Sequence, residues 1–336
     1  MARLLFPVFW GLYADRFGKR HFILRTCYLF AVASFALLAW VRSFTLISVV
    51  LVLYTFFLVP VLPLWEATVL EKLGEFKNHY GQTRLWGSLG FIVFSMAMGI
   101  ILDDYPSSII ITAILVISVL NLVQSYSMTV NPEALVPVSR LNIAWMRSPR
   151  MILFLTCCAM MHFTHTTYYS FFSIFMRSAG HSNLYIGFLW TLGVLFEVGV
   201  MARAGYWIQK WGHERLFTLT LLSAVIRWSL SAVISGGPWF IALQSLHGLT
   251  FGLFHVCAVT WVARVVPSGF QGTAQSLFSS ATYGVGGIIG FLLNGILYDA
   301  WGASRLWRMD AWVALVAFLM SFAFYFGKKF KESVKI

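Results

Sequence analysis

The chain has 336 residues, of which 59% are hydrophobic and only 11% are charged. Soluble globular domains carry roughly 25% charged residues, so this composition excludes a soluble enzyme, a nucleic-acid-binding protein and a disordered chain. The net charge of +12 does not indicate nucleic-acid binding, because the basic residues form short clusters between apolar runs. The composition predicts an all-α protein that crosses the lipid bilayer several times.

Ten stretches reach the length of about 20 apolar residues that a helix needs to cross a bilayer core of roughly 30 Å. A further stretch at the start, residues 2–12, is only half as long. The ten predicted spans are 22–41, 44–65, 85–102, 108–128, 151–176, 184–208, 216–234, 238–263, 273–298 and 309–327.

Lysine and arginine are distributed unequally between the two predicted sides of the membrane. The side that includes the C-terminal tail holds 18 of the 24 basic residues, and the other side holds four. Because positively charged loops stay on the cytoplasmic side, the C-terminus is predicted to be cytoplasmic. The remaining two basic residues, Arg3 and Arg227, fall inside apolar stretches.

Two short patterns recur in the second half of the chain. The segment 11–18 is echoed by 205–212, at an offset of 194, and the segment 99–103 is echoed by 295–299, at an offset of 196. Two echoes at nearly the same offset indicate a duplicated unit.

The longest polar interval, 129–150, lies between the two copies. It predicts an N-terminal bundle over 1–128, a cytoplasmic linker over 129–150, and a C-terminal bundle with a basic tail over 151–336. Gly205 lies 54 residues after the start of the predicted span 151–176, whereas only 10 residues precede Gly11, so the first copy is about 44 residues short. This shortfall predicts that one helix and most of the next are absent from the first half.

The loop that follows the short first stretch combines glycines with charges. Its pattern over residues 11–20, Gly-x-x-Ala-Asp-Arg-x-Gly-Lys-Arg, resembles the cytoplasmic loop signature of the major facilitator superfamily, with Tyr13 where leucine is usual. The resemblance implies that this loop takes part in conformational change. The residues assigned to it are Gly11, Asp15, Arg16, Gly18 and Arg20.

Further segments narrow the resemblance to the lactose-permease-like and phenylpropionate-permease-like proton symporters. Residues 66–91 are similar to both groups, and 162–171, 186–197 and 246–252 resemble the phenylpropionate-permease group. This resemblance implies the major facilitator fold, two six-helix bundles, with helix one and part of helix two missing here. It also implies a proton-coupled symporter of the bacterial inner membrane that acts as a monomer and needs no cofactor. The imported small organic solute is an aromatic acid, a nucleoside or a sugar, and the resemblance favours the aromatic acid.

Glu197 is the first candidate for the proton site. It lies about ten residues from either end of its apolar stretch, where an acidic side chain costs about 2.5–3.5 kcal/mol. Such a carboxyl group can carry a proton, or it can be a static partner of Arg227 or of a histidine, and both roles can hold together. Arg227 cannot lose its charge, so it must be paired or must contact an anionic substrate.

The resemblance to lactose permease implies proton-coupling roles for Arg227 and His247. Thr250 stands where that family has a carboxylate. This departure moves the predicted proton site to Glu197 or to a histidine.

Two predicted helices present histidines with aromatic residues at helical spacing, and a third aligns Trp190 with Glu197 in the same way. This pattern is typical either of a substrate cavity or of an apolar core. Glu66 and Arg84 lie 18 residues apart on neighbouring helices and form either an ion pair or, as the resemblance implies, a substrate-recognition pair. A metal site is not predicted, because no carboxylate stands at helical spacing with the histidine pair 162/165 and none of the cysteines has CxxC spacing. The residues predicted to bind substrate are His162, His165, Tyr168, Tyr169, Trp190, Glu66, Arg84, Thr250 and His255.

Two alternatives to import remain open. A proton-linked efflux antiporter is the first, although the span 85–102 has no Gly-Pro pair of the antiporter signature. A truncated, non-transporting remnant or scaffold is the second. The absence of a GxxxxGK[ST] sequence argues against ATP-driven transport.

Overall fold

The computed structural model is helical throughout the residues that it describes, apart from short turns. Residues 129–142 of the predicted linker and the predicted tail from 328 lie outside the described residues. The described residues are 2–106, 108–127, 143–234, 237–267 and 269–326.

Thirteen α-helices are present in this described part of the chain. They are α1 (Ala2–Phe17), α2 (Arg20–Ala36), α3 (Phe44–Leu58), α4 (Val61–Leu73), α5 (Tyr80–Asp104), α6 (Ile109–Ser127), α7 (Pro149–Ser178), α8 (Asn183–Trp211), α9 (His213–Val233), α10 (Trp239–His247), α11 (Phe254–Val265), α12 (Gln271–Ser279) and α13 (Gly287–Phe326).

Seven stretches of the described residues are long and apolar enough to cross a membrane. Two of them, Phe44–Leu102 and Gln271–Ala323, contain 59 and 53 residues, which is enough for more than one crossing at about 20 residues each. Helix α7 is not among the seven, although its 30 residues span about 45 Å. Its middle carries two histidines and several threonines, which lower its mean hydropathy.

The predicted spans agree with the helices except where the backbone is interrupted. The predicted span 44–65 is divided into α3 and α4, because Pro60 stands between them and cannot donate a helical hydrogen bond. The predicted span 238–263 is divided into α10 and α11 by a π-helical segment, Gly248–Leu253. Tertiary packing decides such a π-helical turn, which hydropathy does not reveal.

Serine caps and glycine turns set the ends of the helices that carry the site. The Ser148 hydroxyl accepts from the Met151 amide at the start of α7, and Ser182 does the same for Tyr185 at the start of α8. Gly212, with φ of 81°, ends α8 in a conformation that favours glycine.

Contacts along α7 show that the chain reverses direction at Gly302, where φ is 68°. Before this glycine, Asn294 Nδ2 donates to Thr166 Oγ1 at 2.7 Å, and the ring of Tyr298 stacks on Phe171 at 3.9 Å. After the glycine, residues further along the chain contact residues nearer to the start of α7. There, Trp307 packs against Phe175 and the carbonyl of Ala317 lies 3.6 Å from Cys157 Sγ.

The described residues form two compact units. The first consists of Met1–Lys72, Val93–Leu141 and Val262–Ser280. In it, α2 packs against α3 and α6, and α1 packs against α12. Its apolar core includes Ala14, Ile23, Leu24, Cys27, Tyr28, Val61 and Leu64.

The second unit consists of Leu73–Ile92, Asn142–Trp261 and Ala281–Ile336. In it, α13 packs against α7 and α9, and α8 packs against α10 and the π-helical segment. The boundaries of these two units do not coincide with those of the predicted bundles over 1–128 and 151–336. The predicted bundle boundaries stay a prediction.

Candidate functional site

Glu197 lies in α8, within the second unit, and is only 4% exposed. The hydroxyl of Ser88, on α5, donates to Glu197 Oε1 at 2.6 Å. The other oxygen, Oε2, lies 3.7 Å from His247 Nε2. Arg84 and His255 are close enough to interact with this carboxyl group electrostatically. The predicted proton site is therefore buried, with one hydrogen-bond donor and one histidine facing it.

Arg227, on α9, is buried beside the same histidine. Its Nη1 lies 3.0 Å from His247 Nδ1 and 2.9 Å from Thr250 Oγ1. Its guanidinium carbon lies 4.5 Å from the centre of the Tyr168 ring and 4.6 Å from that of Trp228, within cation–π distance. Within the described residues, no carboxylate lies at ion-pair distance from Arg227. This conformation therefore does not contain the static ion pair between Arg227 and Glu197 that was one of the alternatives.

The donors and acceptors in this network determine where the histidine protons lie. An arginine can only donate, so His247 Nδ1 accepts from Arg227, and the ring proton of neutral His247 is on Nε2, facing Glu197. His165 Nδ1 lies 2.8 Å from the carbonyl oxygen of Met161, so it carries the proton there. His165 Nε2 then accepts from the Thr250 hydroxyl at 3.3 Å. Hydrogen bonds thus run in one direction from Arg227 through Thr250 to His165.

Two glycines of the π-helical segment allow it to pack closely against α8. A Cβ at Gly252 would lie 3.1 Å from Glu197 Cγ. A Cβ at Gly248 would lie 2.8 Å from the carbonyl oxygen of Phe196, which is closer than side chains tolerate. This close approach places His247 beside Glu197.

An aromatic layer covers the arginine. The rings of Tyr168 and Trp190 have centres 4.5 Å apart, and Tyr169 stacks on Trp190 at 6.4 Å. The Tyr168 hydroxyl donates to Gln244 Oε1 at 3.0 Å, and Trp190 Nε1 donates to Ser173 at 3.0 Å. The structure thus brings together these three aromatic residues from the predicted substrate set.

His162 and His255 line a small cavity next to this network, together with His165 and Thr250. Its volume is about 10 Å³, roughly what one water molecule needs. His255 Nε2 also lies 3.2 Å from the hydroxyl of Tyr80. The cavity is too small for an organic substrate in this conformation.

The remaining substrate candidates, Glu66 and Arg84, lie in different units. Glu66 is buried in α4 of the first unit, whereas Arg84 is on α5 in the second. Their predicted joint role stays a prediction.

The loop motif forms a second polar cluster, within the first unit. Asp15 Oδ1 accepts from the amide of Gly272 at 3.2 Å, and Oδ2 accepts from the amide and hydroxyl of Thr273 at 2.6 and 2.7 Å. Asp15 therefore caps the N-terminus of α12, where free amides and the helix dipole favour a negative charge. Buried Arg20 lies between Asp15 and Glu71, at 2.7 and 2.6 Å.

The other members of the motif shape the loop. Gly18 has φ of 61°, which lets the chain turn between α1 and α2. Arg16 is exposed, with its guanidinium over the ring of Phe17 at 5.9 Å. Arg16 therefore lies outside the buried cluster.

Gly11 allows α1 to contact α12. A Cβ there would lie 2.6 Å from Ser276 Oγ and 2.8 Å from the carbonyl oxygen of Gly272. We expect Gly11→Val to destabilise the protein by about 1–3 kcal/mol through overpacking, measured as a lower melting temperature in detergent. Gly90→Val is the matched control, because a Cβ there meets nothing within 4 Å. Equal melting temperatures for the two variants would contradict this account.

Several residues of these clusters were not predicted from the sequence. Ser88 follows Arg84 by four residues and Gln244 precedes His247 by three, so each lies on the same helical face as a predicted residue. This spacing is a signal that could have identified them. Thr273 has no comparable signal, because only the fold brings it to Asp15.

Comparison with known proteins identifies the class to which this fold and site belong. Residues 1–309 match the profile of the MFS_1 like family. The chain is therefore a member of the MFS_1 like family, whose proteins are membrane transporters and not enzymes. It is a multi-pass membrane protein with the predicted all-α fold of the major facilitator superfamily; the predicted absence of a helix and a half stays a prediction.

Individual proteins agree with this assignment. The chain is 28% identical over 302 residues to the "Probable 3-phenylpropionic acid transporter" of Escherichia coli (strain K12), covering 87% of this chain and 76% of that protein. It is 25% identical to the "Maltose permease" of Geobacillus stearothermophilus, covering 93% of this chain and 79% of that protein. A crystal structure of a human organic anion transporter superposes with a TM-score of 0.76 at 17% identity, covering 95% and 80% of the two chains.

Proposed function

We propose that the protein is a proton-coupled symporter that imports a small organic anion, with Glu197 as the proton carrier. The observation that supports this best is the buried arrangement of Ser88, Glu197 and His247 beside Arg227. A carboxyl group in this setting alternates between a neutral, protonated form and an ionised form that can accept a hydrogen bond from the Nε2–H of neutral His247. Because these states differ in charge, they can favour different conformations of the transporter.

Ionised Glu197 can accept from the Nε2–H of His247 only after a small displacement, because their separation of 3.7 Å exceeds the usual hydrogen-bond length of about 2.7–3.2 Å. Proton release by Glu197 would leave its charge beside Ser88 and His247. The proposed coupling therefore consists of a change in charge that draws α8 and α10 together.

The same site suggests the class of substrate. Arg227 is a permanent positive charge in the membrane without a carboxylate partner in the described part of the chain, and aromatic rings surround it. An aromatic carboxylate would supply both the negative charge and the ring contacts. The similarity to the probable 3-phenylpropionic acid transporter of Escherichia coli makes 3-phenylpropionate the first compound to test.

We propose that the loop motif holds α1 against α12 in this conformation and releases it during transport. Asp15 holds the N-terminus of α12 through three hydrogen bonds, and these contacts must break if α1 and α12 separate during transport. We further propose a monomer in the bacterial inner membrane, with a cytoplasmic C-terminus.

The test is uptake into proteoliposomes with an imposed pH gradient. We expect labelled 3-phenylpropionate to accumulate when the outside is acidic, together with alkalinisation of the medium. Accumulation without proton movement would contradict proton coupling. If a panel including nucleosides and maltose gave uptake of neutral compounds alone, the anion assignment would be wrong.

Arg227→Gln tests the anion assignment. Removing one charged hydrogen bond to substrate costs about 1.5–3 kcal/mol, which corresponds to roughly a 10- to 100-fold rise in KM for 3-phenylpropionate. The neutral amide of the same compound is the matched control, because it carries the ring without the charge. An equal rise in KM for the acid and the amide would show that Arg227 does not bind the carboxylate.

A further inference from the structure

Asp310 is a buried carboxyl group that the transport site does not use. It lies in the part of α13 after Gly302 and is completely buried. Among the residues that the structure describes, neither of its carboxyl oxygens has a hydrogen-bond partner. The hydroxyl of Thr167, on α7, is close enough to interact with it but does not form a hydrogen bond of normal geometry.

The surroundings of Asp310 are set by the packing of α7 against the two arms of α13. Asp310 lies eight residues after Gly302, where the chain reverses direction, and Asn294 lies eight residues before Gly302. Both residues are therefore about 12 Å along the helix from the turn. Asn294 donates to Thr166, the neighbour of Thr167. Asp310 is therefore held against the middle of α7, away from the solvent at either end.

No cation neutralises this carboxyl group in the described part of the chain. The polar group that faces it from α7 is Thr167. On α9, Arg227 is bonded to His247 and Thr250. On α13 itself, Arg308 is exposed and lines a groove with Trp312 on a different face.

An ionised Asp310 in this position would be a buried charge without a partner. Such a charge costs several kcal/mol even after relaxation, and the hydrocarbon core of a bilayer offers no water to reduce this cost. A protonated carboxyl group avoids most of it. The position can therefore be occupied stably by the acid form.

We propose that Asp310 is a second proton-binding site, separate from Glu197 and occupied in this conformation. Release of its proton requires α7 and α13 to separate enough for water to reach the carboxylate. Proton binding at Asp310 thus favours the packed α7–α13 contact. This proposal does not depend on the proposed transport function, because it concerns protonation and stability alone.

Infrared spectroscopy of the purified protein tests protonation directly. A protonated carboxyl group has a carbonyl stretching band that is well separated from the carboxylate bands. We expect Asp310→Asn to remove such a band at about pH 7, and we expect Asp299→Asn, at an exposed aspartate of the same helix, to leave this band in place. Persistence of the band in the Asp310 variant would overturn the proposal.

A measurement on the unaltered protein covers the case in which Asp310→Asn does not fold. We expect incorporation of ¹³C-labelled aspartate to shift the band. Such a shift would show that the band belongs to an aspartate and not to Glu197. A band that moves only with labelled glutamate would overturn the proposal.

Stability as a function of pH gives a second, independent test. Folding keeps the Asp310 proton, whereas the unfolded chain releases it above about pH 4, so the wild type should lose stability relative to Asp310→Asn as pH rises. We expect the melting temperature of the variant minus that of the wild type to increase between about pH 6 and about pH 9. A constant difference, or stabilisation of the wild type alone by sodium ions, would overturn the proposal; the second outcome would identify a metal-cation site.

Discussion

Replacing Glu197 with glutamine is expected to reduce uptake driven by a pH gradient to the level of protein-free liposomes. The amide is similar in shape to a protonated carboxyl group and still accepts the hydrogen bond from Ser88. It cannot bind or release a proton, so the cycle cannot be driven by one. Exchange of labelled for unlabelled substrate needs no net proton movement and should persist. The measurement is uptake and exchange in the same proteoliposome preparation.

The matched control is Glu75→Gln, which changes an exposed glutamate outside the network. We expect it to have no effect on either process. Gradient-driven accumulation by the Glu197 variant at the wild-type level would show that the proton is carried elsewhere. Loss of both uptake and exchange would indicate a binding role for Glu197 instead of a coupling role.

Asp15→Asn is expected to give the largest loss of stability. Asp15 and Arg20 are each almost fully buried, and removing one partner of a buried pair costs about 3–5 kcal/mol. Because Glu71 still pairs with Arg20, we expect a loss at the lower end of this range. The substitution also weakens the cap on α12. A loss of about 3 kcal/mol corresponds to a fall in melting temperature on the order of 10 °C. Thermal unfolding in detergent measures it.

A double-mutant cycle separates the buried pair from the helix cap. Arg20→Met removes the arginine's charge while keeping much of its apolar stem, so the double variant should lose less stability than the sum of the two single losses. Asp104→Asn, at an exposed position, is the control for losing one negative charge. Single losses that add up in the double variant would assign the whole effect of Asp15→Asn to the helix cap.

Part of the candidate site follows from the sequence because charge inside an apolar stretch is a local property. Glu197 and Arg227 could be identified in this way, and the structure brings both close to His247. Thr250 entered the prediction through a family resemblance, and the structure places its hydroxyl between Arg227 and His165. The specific pairing could not be predicted, because the rotation of each helix about its axis depends on packing.

The burial of Asp310 could not be predicted from the sequence. This residue lies near the start of the predicted span 309–327, where an acidic residue is unremarkable at a helix end. Its complete burial results from the reversal at Gly302, which brings it against Thr167. Such a position cannot be recognised before the fold is known.

The sequence by itself determined that the protein is helical and lies in a membrane, because hydropathy and the length of apolar stretches are properties of consecutive residues. The tertiary structure decided which polar groups meet. Ser88 and Glu197 are 109 residues apart in the chain, and Asp15 and Thr273 are 258 apart. Contacts at such separations depend on helix packing, on the glycines that permit it, and on the π-helical segment that positions His247 and Thr250.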